Sequence, residues 1–118
     1  MTKNDYLEQL NSKSIDKEIV EKAQEIYGNI FPEIIQKIIS SGVESEFLDD
    51  DIRILSTDEI MEAEQDLHVD FKEKGLIPIA DRGDNDFVVY SFEAKSWSVL
   101  NITDETQFKI TSDLRDLL

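Results

Sequence analysis

Catalysis and metal binding need side chains that trade protons, attack carbon or ligate ions, and in this chain that set is almost wholly carboxylate. There are 27 Asp and Glu residues, one histidine, His68, and no cysteine. A Ser-His-Asp or Cys-His arrangement, like a His/Cys metal site, would have to be built around His68 alone, so hydrolases of those kinds are excluded or left without partners. His68 closes an acidic stretch that reads as helix, where a cation is favoured, so a surface position is expected, with pH sensing as the alternative. Asp81, Asp84 and Asp86, and again Asp49, Asp50 and Asp51, carry the hard oxygens that Ca²⁺ prefers. Neither set has the spacing of an EF-hand loop or its closing Glu, and both read as turns whose carboxylates bond their own backbone. Carboxylate pairs of the glycosidase type arise by chance among so many acids, and none stands out. The four glycines form no G-x-G-x-x-G or Walker-type loop. Arg82-Gly83-Asp84 spells an adhesion tripeptide but reads as part of a turn. No metal, cofactor or catalytic residue is expected.

The acids are unevenly placed. The chain carries a net charge of −15, and residues 44–70 hold Glu44, Glu46, Asp49, Asp50, Asp51, Asp58, Glu59, Glu62, Glu64, Asp66 and Asp70 against one base, Arg53: 11 minus 1, or −10 of the total. Phosphate binding draws on clustered Lys and Arg to release counterions, so nucleic acid is not an expected direct partner. A basic protein is the natural complement, because opposed fields speed encounter and suppress wrong partners. The competing account is that acidic excess simply keeps the chain dispersed.

The elements that position these residues follow from spacing. A short helix is expected over Asn4 to Leu10. A stronger one follows from Ile15-Asp16, with Ile19, Val20, Ala23, Ile26 and Tyr27 at helical spacing and Gly28 as its stop. Pro32 suits a first helical turn, and Ile34, Ile35, Ile38 and Ile39 form the next apolar stripe, ending at Ser40-Ser41-Gly42. Asp51 to Leu55 reads as a short strand. Ser56 followed by Glu59 is a capping box, opening a helix to Asp70 with Ile60, Ala63, Leu67 and Phe71 inside and Glu59, Glu62, Asp66 and Asp70 outside. Leu76 to Ala80 and Phe87 to Phe92 flank a turn crowded with Asp, Asn and Gly83, and Ser96 to Ile102 follows as a third strand. Thr111, Ser112 and Asp113 can cap a short final helix carrying Leu114, Leu117 and Leu118. Phe87, Tyr90, Phe92 and Trp97 are core by expectation, with partner anchoring as the alternative.

The fold class expected is α+β: N-terminal helices packed on a small, mostly antiparallel sheet, with a short C-terminal helix. At 118 residues the chain has a one-domain length, able to bury roughly two-thirds of its unfolded surface. The lack of cysteine fits a reducing compartment, and no stretch approaches the roughly 20 apolar residues of a membrane span. A cytoplasmic location is expected.

Ile77-Pro78-Ile79-Ala80, Gly83 and Asn85-Asp86-Phe87-Val88-Val89-Tyr90 resemble the core motif of the SUKH (Smi/Knr-like) superfamily. Upstream, Phe31-Pro32-Glu33 ahead of Ile34, Ile35, Ile38 and Ile39 is similar to the family's Leu-Pro-Glu opening of a core helix. Ile54-Leu55-Ser56-Thr57-Asp58-Glu59-Ile60 looks like its strand-to-helix step. These pieces cover most of residues 19–102 in the family's order, although the Asp/Arg/Asp turn stands where the family more often has glycines. The resemblance implies that residues 1–118 are a single SUKH-like binding domain, most often a bacterial immunity protein that neutralises a toxin, frequently a nuclease. The family also includes fungal cell-wall regulators and a bacterial protein that interacts with the secretion machinery, so a regulatory or scaffold module binding a housekeeping protein is the alternative. With the charge asymmetry, the partner-binding residues expected are Glu59, Glu62, Asp66, Asp70, Asp81, Asp84 and Asp86.

Overall fold

The computed structural model describes residues 1–42, 44–48 and 51–118, so of the first aspartate cluster only Asp51 is described. Three helices lead the chain: α1 (Lys3–Asn11), α2 (Lys17–Tyr27) and α3 (Glu33–Ser41). Each start has its own chemistry. Thr2 and Asp5 close a capping box on α1, and Asp16 accepts the first free N–H groups of α2, from Glu18 and Ile19. Pro32 takes the cap position of α3 rather than its first turn, where its missing N–H still costs nothing. Gly28 ends α2 with φ at 66°, a left-handed conformation that glycine adopts without steric cost. Val20, Ala23, Tyr27, Ile35, Ile38 and Ile39 are buried, whereas Ile26 and Ile34, assigned to the inner stripes from spacing, lie at the rim at 36% exposure each.

The expected helix from Ser56 to Asp70 is broken. The Ser56–Glu59 capping box opens α4 (Thr57–Met61), Glu62 leaves helical geometry, α5 runs Ala63–Leu67, and α6 runs Phe71–Lys74. His68, with φ at 56°, terminates α5 on the exposed surface. Like charges four apart, Asp58 with Glu62 and Glu62 with Asp66, disfavour one continuous helix by a few tenths of a kcal/mol each, which is too little to decide the matter. The bends instead let Ile60, Ala63, Val69 and Phe71 all reach the core.

Among the described residues six strands form one antiparallel sheet in sequence order: β1 (Glu46–Phe47), β2 (Arg53–Ile54), β3 (Leu76–Gly83), β4 (Asp86–Ser91), β5 (Ser96–Asn101) and β6 (Gln107–Thr111). The three-strand meander read from the sequence is its centre, and β1 and β6 are the strands that reading lacked. Asp84 and Asn85 join β3 to β4 with φ of 54° and 65°, the two positive values that a tight I′-type hairpin turn requires. The pairing slips at Ile79 and at Arg82, each an extra residue in β3, and such bulges bend a strand and raise its twist.

Four consecutive residues of β4, Phe87 to Tyr90, and four of β5, Trp97 to Leu100, are buried. Successive strand residues point to opposite faces, so both faces are covered at these central strands, while β1 and β6 stay exposed. Trp97 lies beside Leu7, Leu10, Ile34 and Leu114, from α1, α3 and the C-terminal segment. Phe87, on the other face, lies beside Ala63 and Leu67 of α5. The C-terminal element is a 3₁₀ turn, Leu114–Leu117, capped by Asp113, whose Leu114 and Leu117 are buried together with Leu118. One continuous apolar cluster runs through these layers. Among the described residues no helix is long and apolar enough to cross a membrane.

Candidate functional site

The strand register aligns one row of residues across the whole sheet: Phe47 opposite Arg53, Arg53 opposite Asp81, Asp81 opposite Phe87, Phe87 opposite Leu100, and Leu100 opposite Gln107. Residues directly opposite each other share a face, so this row presents one side of all six strands. At its centre Phe87 and Leu100 are buried at 6% and 0% exposure, whereas at its β1 end Phe47 stands 64% exposed.

Arg53 organises the ground between them. Its Nη1 donates to Glu59 Oε1 at 2.8 Å and Oε2 at 2.7 Å, and its Nη2 reaches Asp81 Oδ2 at 3.5 Å. Glu59 therefore does not face outward as the helical spacing suggested. It turns back to accept the Ser56 N–H at 3.0 Å and then holds Arg53. Burial pushes the Glu59 carboxyl up, but the Ser56 N–H and then the Arg53 guanidinium outweigh it, and the group settles below its ordinary range. Arg53 is correspondingly held more firmly protonated by its hydrogen bonds to Glu59, against a smaller cost of burial.

These three side chains edge a pocket of about 140 Å³ whose other walls are Leu55, Ala63, Asp66, Leu67 and Phe87. Three carboxylates from three elements, Glu59 on α4, Asp66 on α5 and Asp81 on β3, thus meet over an apolar floor with one guanidinium among them. Two negative charges remain uncompensated, three acids less one base.

The other acids read as candidates are placed elsewhere. Glu62 is exposed at the break between α4 and α5. Asp70 caps α6 by accepting the Glu73 N–H at 3.1 Å. Asp84 is exposed in the hairpin turn, and the Asp86 carboxylate is occupied by the Asn101 Nδ2 at 2.8 Å. Among the described residues no group of three or more carboxylates and His is placed to hold a metal ion. Tyr90 and Trp97, the alternative anchors, are buried and stacked edge to face, with ring centroids 4.8 Å apart.

Sequence reading missed Phe47 and Arg53. Phe47 interrupts the acidic window between Glu46 and Leu48, and its isolation from any apolar stripe is the only signal it gives. Arg53 is the sole base in that window, and that is its signal.

Compared with models of known families, with curated proteins and with solved structures, the chain matches none. Fold and site together define an α+β protein with a carboxylate-rimmed pocket and an exposed aromatic on one sheet row.

Proposed function

We propose that this chain is a non-enzymatic binding protein of the SUKH type, an immunity protein that neutralises a basic toxin domain in the cytoplasm by docking its acidic face. One observation carries this reading above the others. Glu59, Asp66 and Asp81, scattered over 23 positions of sequence, line one pocket with Arg53, whose cross-strand partner Phe47 is left 64% exposed. Large aromatic side chains dominate interface hot spots, and surrounding carboxylates give steering and selectivity towards a basic surface. The ordered SUKH-like motifs and the −10 charge of residues 44–70 point the same way.

The charge test uses Glu62→Lys with Asp66→Lys, because Asp70 caps a helix and its reversal would confound binding with folding. The wild-type chain, immobilised in lysate of its source cells, is expected to retain a basic toxin domain at low salt and release it at high salt, and its coexpression to protect cells from that domain. The double reversal should slow association about tenfold or more. An unchanged association rate would remove the steering role. Retention of a housekeeping protein through high salt, with no protective effect, would favour the regulatory or scaffold module instead.

A further inference from the structure

We propose that the pocket bounded by Glu59, Asp66 and Asp81 receives an arginine side chain of the partner, with Phe47 packing beside it as the apolar anchor; this rests on the reading of the acidic face as a protein-docking surface. Charge complementarity sets the sign of the occupant. Three carboxylates against Arg53 leave an excess of two negative charges around a pocket with room for the end of one long side chain. The floor sets its shape. Leu67 and Phe87 line the interior, so the occupant brings an apolar stem to lie on them and a charged head to reach the rim, as long basic side chains do. Arginine meets both demands better than lysine, because its flat, weakly hydrated guanidinium pairs with carboxylates through two N–H groups and stacks on aromatic rings.

Phe47 is an independent sign that something covers this place. It lies opposite Arg53 on the same face, at the β1 end of the sheet row, and is 64% exposed. Docking across the pocket and the β1 edge would bury its ring against the partner and exclude water from the pocket carboxylates, which strengthens their hold on a cation.

The test is an amide chemical-shift titration of the full chain with N-acetylarginine methylamide, using the neutral isostere N-acetylcitrulline methylamide as comparator. Arginine is expected to move the amides of Phe47, Arg53, Asp66, Asp81 and Phe87 saturably, and citrulline to leave them in place. Asp66→Asn and Phe47→Ala, both at exposed positions, should each weaken the arginine effect about threefold or more, with unchanged thermal melts. Equal responses to both probes, shifts spread over the acidic surface, or undiminished binding by the two variants would overturn the pocket. If the titration fails while Glu62→Lys with Asp66→Lys still slows the toxin, the arginine pocket falls and the docking face stands. If salt-dependent retention is lost as well, both fall.

Discussion

Glu59 shows at the scale of one residue how the candidate site and the fold share a group. Its carboxylate completes the cap of α4, and it also binds Arg53, whose other nitrogen holds Asp81. Because its folded-state pKa lies below the ordinary glutamate value, the pair contributes stability above that ordinary value and loses it as pH falls through the folded one. Glu59→Gln keeps a capping side chain but removes the charge. With the carboxylate side chain 37% exposed, the expected loss is discounted to about 1 kcal/mol at neutral pH. Urea denaturation of the two proteins at neutral pH and at a pH below the ordinary glutamate range should show that gap shrinking as the carboxylate takes up its proton. A gap of equal size at both pH values would mean that the charge pair contributes nothing. The Ser56–Glu59 half of this arrangement was legible in the sequence because it spans three residues. The Arg53–Asp81 half was not, because its partners are 28 residues apart.

At the scale of the element, local signals set the ends well and the continuity poorly. Asp16 and Gly28 bound α2 as their chemistry dictates. Gly28→Ala would force a side chain into φ of 66°, at a cost of about 1 kcal/mol. The added Cβ would also stand 2.9 Å from Lys72 Cε, but that is the far end of a flexible side chain and can move aside. A thermal midpoint lowered by a few degrees is expected; no change would show that the helix end relaxes. The segment from Ser56 to Asp70 is the contrary case. Its period of apolar residues was read correctly, yet it forms two short helices and leads to a third, since the same period is kept when a chain bends around a sheet. Pro78 falls within the run Leu76 to Ala80 that reads as a strand from the sequence, and the structure keeps it there. It lies in the interior of β3, a place where proline is tolerated because β2 pairs only with Ala80 and Asp81, leaving the neighbouring ladder position open.

For the molecule as a whole the net charge of −15 sits on a body of 36 × 32 × 24 Å. Like charges across such distances repel, and at about 0.1 M salt the screening length is roughly 10 Å, shorter than every one of these dimensions. Raising salt from about 10 to 150 mM is therefore expected to raise the thermal midpoint by a few degrees. A midpoint that falls instead would show that close pairs such as Arg53–Glu59 outweigh the general repulsion. The same screening should weaken partner docking, so stability and binding are expected to respond to salt in opposite directions.

The sequence by itself determined the α+β class, the capped helix starts, the Asp84-Asn85 reversal and the excess of acid, because each follows from residues within a few positions of one another. Tertiary structure alone decided that the sheet has six strands, that both faces are covered at its central strands, and that Glu59, Asp66 and Asp81 line one pocket while Asp70, Asp84 and Asp86 serve caps and turns. β1, only two residues long, is too short to show a period, and it exists because β2, itself held on β3, offers it a partner. A carboxylate's role depends on which donor lies opposite it, and that is set by register between strands. The exposed Phe47 is the clearest instance: its composition marks it for the core, and only its place on the edge strand leaves it open.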